Sequence, residues 1–454
     1  MTPQPVHMDA TTPEPEPELQ REPREKLIDL VPEGDGPCIL EDVGSLGAAC
    51  RRPLTHTGLR HFVLQQFQRE VARCGVPRGA RICVALPSGP ESAVALFAFS
   101  SWGCYAPLPF GHTATELAAE LADLQPSALI ALAGSVDLVN AARLGIRTIA
   151  LLPDKVTSGI FGLRACCSTD LTNYFKHPIP DSTDHDVAML LQTSGTTKRP
   201  KTVALTHTGL GWGARRVAET LRLTGSDVCV NPMPLYHLHG IAVNLLASVI
   251  AGAAVVCPLD PITGQRLLRC LREHRATWYS ATPTHHLALL QAAQAEQPDV
   301  DLPRLTVPGL TRLRFIRNCS AALTAPLARE LQTAFSTTVI PSYAMTECLP
   351  IASHVLPSED SVSKRGDHDM REVDDRLGSV GMPAGAEIIV MSVLEAQVEQ
   401  PEGEGAAQRA VDTAVVAVGD VGEVAGTAAT STQAHCGSTL VENLFCLRLN
   451  TTET

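Results

Sequence analysis

Aromatic residues are scarce in this 454-residue chain, at 4%. A surface that stacks nucleobases needs them, so a single-stranded nucleic-acid binder is disfavoured. Long basic runs are missing too. With 36 basic and 48 acidic side chains the formal net charge is −12, which argues against nucleic acid or an anionic membrane as the main partner. No uninterrupted apolar run has the length of a membrane span. The most apolar stretch, 241–257, contains Asn244, Ser248 and Gly252 and is short for one. It reads better as a buried helix that breaks at Gly252 and continues as a strand over 253–257. The N-terminus lacks an apolar signal core, and Asn450–Thr454 is not a peroxisomal tripeptide, so a cytoplasmic protein is expected. Among the 14 cysteines no C-x-x-C pair occurs. Disulfide frameworks belong to small secreted chains, so reduced and mostly buried thiols are expected.

What is present is globular. Hydrophobic residues make up 44% and charged residues 19%, and the length suffices for two or three packed units. Residues 1–26 are rich in Pro and Glu and are expected to be a disordered tail. From residue 37 the pattern is α/β. A buried strand is expected over 81–86, then a helix over 91–102 with little polar surface. A second helix over 115–124 has Thr113 as its cap, and a short apolar strand follows over 127–132. The same alternation recurs from Asp186 to Ile340, which implies largely parallel sheets covered on both faces. Beyond about residue 390 the texture changes, with a linker-like stretch over 400–405. The segment 427–454 has Ser/Thr clusters and no sustained period, and is expected to be an atypical, disordered tail.

The strongest local signal is Leu190-Leu191-Gln192-Thr193-Ser194-Gly195-Thr196-Thr197-Lys198-Arg199-Pro200-Lys201. An apolar strand runs into a hydroxyl- and glycine-rich loop backed by lysines. Backbone N–H groups, hydroxyls and a lysine can wrap a polyphosphate, and Gly195 allows close approach. The spacing is not the G-x-x-x-x-G-K-[ST] of kinase-type loops. Taken alone, an ordinary polar turn would be the better reading.

In company, the segment resembles the phosphate loop of adenylate-forming enzymes, the acyl–CoA synthetases and adenylation domains. Three further segments follow in that family's order. Pro234-Leu235-Tyr236-His237-Leu238-His239-Gly240 resembles the histidine motif bordering the acyl pocket. Arg314-Phe315-Ile316-Arg317-Asn318-Cys319-Ser320-Ala321-Ala322-Leu323 resembles the adenine-side strand and turn. Ser342-Tyr343-Ala344-Met345-Thr346-Glu347 resembles the aromatic-x-x-Thr-Glu motif. The likeness spans about residues 37–425. Ala276–Thr284 and Tyr343–Glu347 look most like the oxalate–CoA ligase group, whereas Cys348-Leu349-Pro350-Ile351 departs from it.

The resemblance implies a fold of stacked αβαβα layers with an associated β subdomain, and an N-terminal AMP-binding domain over 27–426. It implies that Thr193, Ser194, Gly195, Thr196, Thr197 and Lys201 hold the outer phosphates of ATP. Tyr343 would stack on adenine, with Ser320, Ala321 and Ala322 lining the base and acyl pocket. Thr346 would contact the α-phosphate and Glu347 would bind Mg²⁺. His237 would border the carboxylate and steady charge at phosphorus, with His239 and Thr284 beside the acid. The implied partners are ATP, a small carboxylic acid and either CoA or a carrier protein. Attack of one anion on another needs cations and donors to offset repulsion.

Each residue has a plainer alternative. Tyr343 alone would more often be a packing aromatic, and Glu347 a solvated acid. His237 and His239 could be a metal pair, although no Cys or carboxylate ligand lies nearby in sequence. His285-His286 reads as a partly buried helix start. The motif order, not any one residue, decides for the family.

In the family, a Gly-Glu-Val strand leads to a Thr-Gly-Asp segment, a hinge and a small C-terminal domain carrying a catalytic lysine. Gly422-Glu423-Val424 matches the strand, but no such aspartate segment follows residue 426, so a truncated chain is expected. Three functions therefore compete: an acyl–CoA ligase, an adenylation domain serving a carrier protein, and a nucleotide- or acyl-binding pseudoenzyme.

Overall fold

The computed structural model describes residues 25–42, 51–166, 187–193, 201–259, 261–301, 305, 307–356, 379–384, 386–392, 423–426 and 443–449. Two large sheets organise them, as the strand–helix alternation anticipates. The first has nine strands, in the order Met382–Pro383, Cys348–Ser353, Thr338–Met345, Phe315–Asn318, Trp278–Ala281, Val228–Val230, Ala254–Cys257, Pro37–Glu41 and Leu54–Thr55. From Thr338–Met345 to Pro37–Glu41 every neighbouring pair is parallel. The second has seven strands, in the order Phe161–Ala165, Thr148–Pro153, Ala128–Leu132, Arg81–Ala85, Cys104–Leu108, Val187–Thr193 and Lys201–Thr206, antiparallel only at its two edges.

Helices fill three layers around these sheets. The helix Pro90–Trp102 is buried at all 13 positions. It touches strands of both sheets, so no face is left for water, and its sequence accordingly lacks an amphipathic stripe. Outside the seven-stranded sheet, Ala114–Leu124 buries Leu117, Leu121 and Leu124, spaced for one helix face. Thr113 starts it with a capping box shared with Glu116, a device that contributes about 0.5–2 kcal/mol. Outside the nine-stranded sheet, Gly264–Glu273 packs Leu267, Leu268 and Leu271 into a second core with Tyr279 and Ile316. Each such leucine stabilises the fold by about 1.5–3 kcal/mol.

Three expectations need adjustment. The helix expected before Gly252 is present, but His239–Leu246 is a π-helical turn that passes into α geometry only at Ala247–Ile250. Apolar periodicity cannot distinguish the two, because both bury one continuous run. The strand after it begins at Ala254 rather than 253. Within the stretch expected to lack structure, Asn443–Leu449 forms a strand between Ala386–Ser392 and Glu423–Gly426. Leu444, Phe445, Cys446, Leu447 and Leu449 make a strand-length apolar run there, and that local signal outweighs the polar composition around it. The expected tail over 1–26, apart from Glu25 and Lys26, lies outside the described residues.

All cysteines among the described residues are free, and most are buried. Among the described residues no helix is long and apolar enough to cross a membrane.

Candidate active site

Parallel strands release their loops at one edge. Four adjacent strands of the nine-stranded sheet do so here, and in register: Ala281 pairs with Asn318, and Asn318 with Pro341. The segments leaving that edge are 231–240, 282–286, 319–323 and the turn at Thr346-Glu347. These hold three of the four motif segments. Ligands of open α/β sheets sit at this carboxyl edge.

Hydrogen bonds tie the loops together. Asn318 Nδ2 donates to Ala321 O at 2.8 Å, which holds the turn after its strand. Ser342 Oγ donates to Asn318 O at 2.7 Å, joining the last two strands. Asn231 Nδ2 donates to Gly240 O at 3.1 Å and so closes the histidine segment on itself. His239 Nδ1 lies 3.0 Å from Ser320 Oγ, linking the histidine segment to the Ser-Ala-Ala turn. Ser320 holds φ +70°, a left-handed conformation that costs a serine energy and recurs at working sites.

Exposure divides these residues. Ser320, Ala321, Ala322, His237 and Thr284 are exposed, Tyr343, Thr346 and Glu347 are half-buried, and His239 is buried. Thr284 stands in the first turn of the helix Pro283–Glu296. Tyr343 pairs with Ala352, two residues before its strand ends at Met345. His237 stacks obliquely on Tyr236, their ring centroids 4.6 Å apart. Desolvation lowers the pKa of His237, although its ring reaches solvent. Near neutral pH it therefore offers a hydrogen-bond donor rather than a positive charge. Burial drives the pKa of His239 well below its usual value, so that ring is neutral.

His286 is buried, its Nδ1 3.0 Å from Tyr279 Oη, and burial lowers its pKa to about 3. It is a helix-start residue in the core, as the sequence suggested. Among the described residues no group of three or more His, Cys, Asp or Glu side chains is placed to hold a metal.

The phosphate-loop candidates belong to the other sheet. Thr193 and Lys201 face each other where Val187–Thr193 and Lys201–Thr206 part, with Thr193 Oγ1 donating to Lys201 O at 3.4 Å. Ser194, Gly195, Thr196 and Thr197 lie outside the described residues.

Sequence reasoning assigned no role to a buried polar cluster beneath this edge. Asn244 Nδ2 donates to Asn231 Oδ1 at 2.8 Å and to Ser280 O at 3.0 Å. Ser280 Oγ sits 2.7 Å from His239 Nε2 and accepts from Arg317 Nη1 at 3.3 Å. The one available sequence signal was polarity inside apolar strands: Ser280 follows Trp278-Tyr279, and Arg317 follows Phe315-Ile316.

Comparison with known proteins bears on the family and the fold. Residues 68–406 match the family described as AMP-binding enzyme. An oxalate–CoA ligase of Arabidopsis thaliana is 30% identical over 371 residues, covering 80% of this chain and 67% of the relative. An oxalate–CoA ligase of Saccharomyces cerevisiae is 31% identical over 207 residues, covering 45% of this chain and 33% of the relative. The chain thus spans between about a third and two thirds of the length of these relatives. Among solved structures, ATP-bound MatB from Rhodopseudomonas palustris superposes with a TM-score of 0.60 at 23% identity, covering 81% of this chain and 66% of that one. A long-chain-fatty-acid–CoA ligase from Archaeoglobus fulgidus gives 0.63 at 17% identity, covering 82% and 72%. At such identities these two structures speak for the fold alone.

Proposed function

Because this chain belongs to the AMP-binding enzyme family, we propose that it activates a small carboxylic acid with ATP. The acid's carboxylate oxygen attacks the α-phosphorus, the bond to the bridging oxygen breaks, and pyrophosphate leaves with that electron pair. The acyl adenylate then passes its acyl group to the thiol of CoA and releases AMP. The observation that carries this reading is the convergence of His237, Ser320–Ala322 and Tyr343–Glu347 at one carboxyl edge of parallel strands.

Roles follow from position. Tyr343, half-buried near the end of its strand, offers a ring face for adenine. Thr346 and Glu347 occupy the turn directly beyond. His237 donates a hydrogen bond from a neutral ring toward the incoming carboxylate. Thr193 and Lys201 bracket the loop assigned to the outer phosphates.

Glu347 is the residue suited to Mg²⁺. That ion commonly takes one or two carboxylates and completes its shell with water and substrate phosphates, so a single half-buried glutamate fits. When bound, Mg²⁺ offsets phosphate charge.

Oxalate is the acid to try first, since two relatives are oxalate–CoA ligases. The free cysteines support the cytoplasm as the compartment. The segment Cys348–Ile351, which departs from the oxalate–CoA ligase pattern, favours a second reading in which a carrier protein takes the acyl group.

Acid-dependent exchange of labelled pyrophosphate into ATP tests the first step. Mass spectrometry for acyl-CoA tests the second, and acyl transfer to a carrier protein instead would favour the alternative. No exchange with any of a panel of short acids would remove the proposal.

A further inference from the structure

Arg317 is an anomaly in the core. It is 1% exposed, yet among the described residues no carboxylate pairs with it, and its Nε and Nη2 find no hydrogen-bond partner there. The ionisable groups near it are the Cys319 thiol and the His239 imidazole. Burial lowers the pKa of Arg317, but a guanidinium starts too high to lose its proton. A charge held this way costs stability unless it serves something. Its acceptor is Ser280 Oγ, which is also 2.7 Å from His239 Nε2.

The direction of these bonds follows from what each group can do. A guanidinium only donates, so Ser280 must accept from Arg317. Ser280 is fully buried and has one hydroxyl hydrogen. If His239 Nε2 also donated to it, that hydrogen would be buried with no acceptor among the described residues, at the full cost of its desolvation. Ser280 therefore donates to Nε2. The buried imidazole is neutral, so it has one donor and one acceptor. With Nε2 accepting, the proton sits on Nδ1 and is donated to Ser320 Oγ at 3.0 Å. Ser320 then cannot spend its own hydrogen on His239. The residue is exposed at the cleft, in its left-handed conformation, so its hydroxyl hydrogen is left to be donated elsewhere than to His239.

We propose that Arg317, Ser280 and His239 form a one-way chain of hydrogen bonds that fixes Ser320 as a donor for an oxyanion of the bound acid. Arg317, Ser280 and His239 are positioning residues; Ser320 is the group that touches substrate. The choice of the acid as ligand rests on the proposed adenylation. The polarity of the chain does not.

The experiment is ¹⁵N solid-state NMR of the full chain with ring-labelled histidine, His239 being assigned by difference from His239→Gln. A single tautomer protonated at Nδ1 is expected. Ser280→Ala and Arg317→Met should each give a mixture of tautomers, and Ser280→Thr should restore the Nδ1 form. Should Arg317→Met fail to fold, Ser280→Ala, which removes one buried oxygen, still decides. A wild-type His239 protonated at Nε2, or one indifferent to Ser280→Ala, overturns the chain. Pyrophosphate exchange separates this from the parent reading. Absence of exchange beside an Nδ1-protonated His239 sinks adenylation and leaves the chain intact; exchange beside an Nε2-protonated ring does the reverse. In an exchange-active chain, Ser320→Ala should raise the acid's KM about tenfold, the loss of one hydrogen bond to a charged group. ATP's KM should not move. An unchanged acid KM in Ser320→Ala overturns the assignment of Ser320 to the acid.

Discussion

Thr193 and Lys201 stand opposite each other in an antiparallel hairpin, where Thr193 Oγ1 donates to the Lys201 carbonyl at 3.4 Å. The pairing fixes the stem of the candidate phosphate loop. It places a hydroxyl and an ammonium-bearing side chain on the two strands at its base. A point charge there acts on the outer phosphates more than on a monophosphate. Lys201→Ala should therefore weaken Mg·ATP by about 1.5–3 kcal/mol, the worth of a charge-assisted bond, and weaken AMP less. Titration calorimetry with both nucleotides measures the difference. Equal losses for the two would detach Lys201 from the outer phosphates.

Tyr343 offers a second handle on the same nucleotide. It is the last aromatic of its strand before the Thr346-Glu347 turn, and it is half-buried rather than packed away. Tyr343→Ala should weaken ATP and AMP alike, by about 1–3 kcal/mol, the range for a base stacked on an aromatic ring. Tyr343→Phe keeps the ring face and should bind nearly as the wild type does. Calorimetry showing Tyr343→Ala unchanged would reduce the residue to a packing aromatic.

Local signals made much of this fold legible. The Thr113-to-Glu116 spacing announces a helix start because both halves of a capping box lie within one turn. The fully buried helix Pro90–Trp102 was legible because a helix between two sheets has no wet face to encode. The order of four motifs located the candidate site. What escaped was non-local. Ser280 and His239 are 41 residues apart in sequence, and His239 and Ser320 are 81 apart. Their partnership leaves no trace in spacing or period. Arg317 was visible only as part of a motif, because a lone arginine in an apolar strand does not say what it donates to. The π-helical turn His239–Leu246 was hidden for a related reason: its residues are all buried, so no polar face marks a change of pitch.

Gly240 tests how tightly the histidine segment is built. A β-carbon there would meet the Pro234 carbonyl oxygen and would lie 2.8 Å from that of Met233. Both obstacles are backbone, so neither can rotate away. Gly240→Ala must move the 234–240 segment, and with it His237 and His239. A loss of about 1–3 kcal/mol is expected, the usual cost of overpacking. Urea denaturation reads it, and a wild-type midpoint for Gly240→Ala would show that the segment yields freely.

The last prediction concerns pH and lies away from the candidate site. His112 is buried, with Nδ1 at 3.5 Å from Asp137 Oδ1 and Nε2 at 3.5 Å from Glu120 Oε1. Asp137 first, and then Glu120, stabilise the imidazolium and outweigh its desolvation, raising the His112 pKa to about 9. The ordinary value in an unfolded chain is about 6.5. Because the folded-state value is the higher one, the folded protein holds this proton more tightly than the unfolded chain does. The resulting stabilisation is fully present below pH 6.5 or so and fades as the pH rises through about 9. Above that, Asp137 remains buried beside a neutral ring, with the backbone N–H groups of Gly111 and His112 donating to it. Wild type should therefore lose more stability between pH 7 and pH 10 than His112→Gln, which has no proton to release. Urea denaturation of both proteins at the two pH values gives the comparison, and the difference between them cancels the lysines and tyrosines that also titrate. Parallel losses in the two proteins would mean that His112 is neutral in the folded chain at pH 7 and that its two carboxylate neighbours are too far away to hold a proton on it.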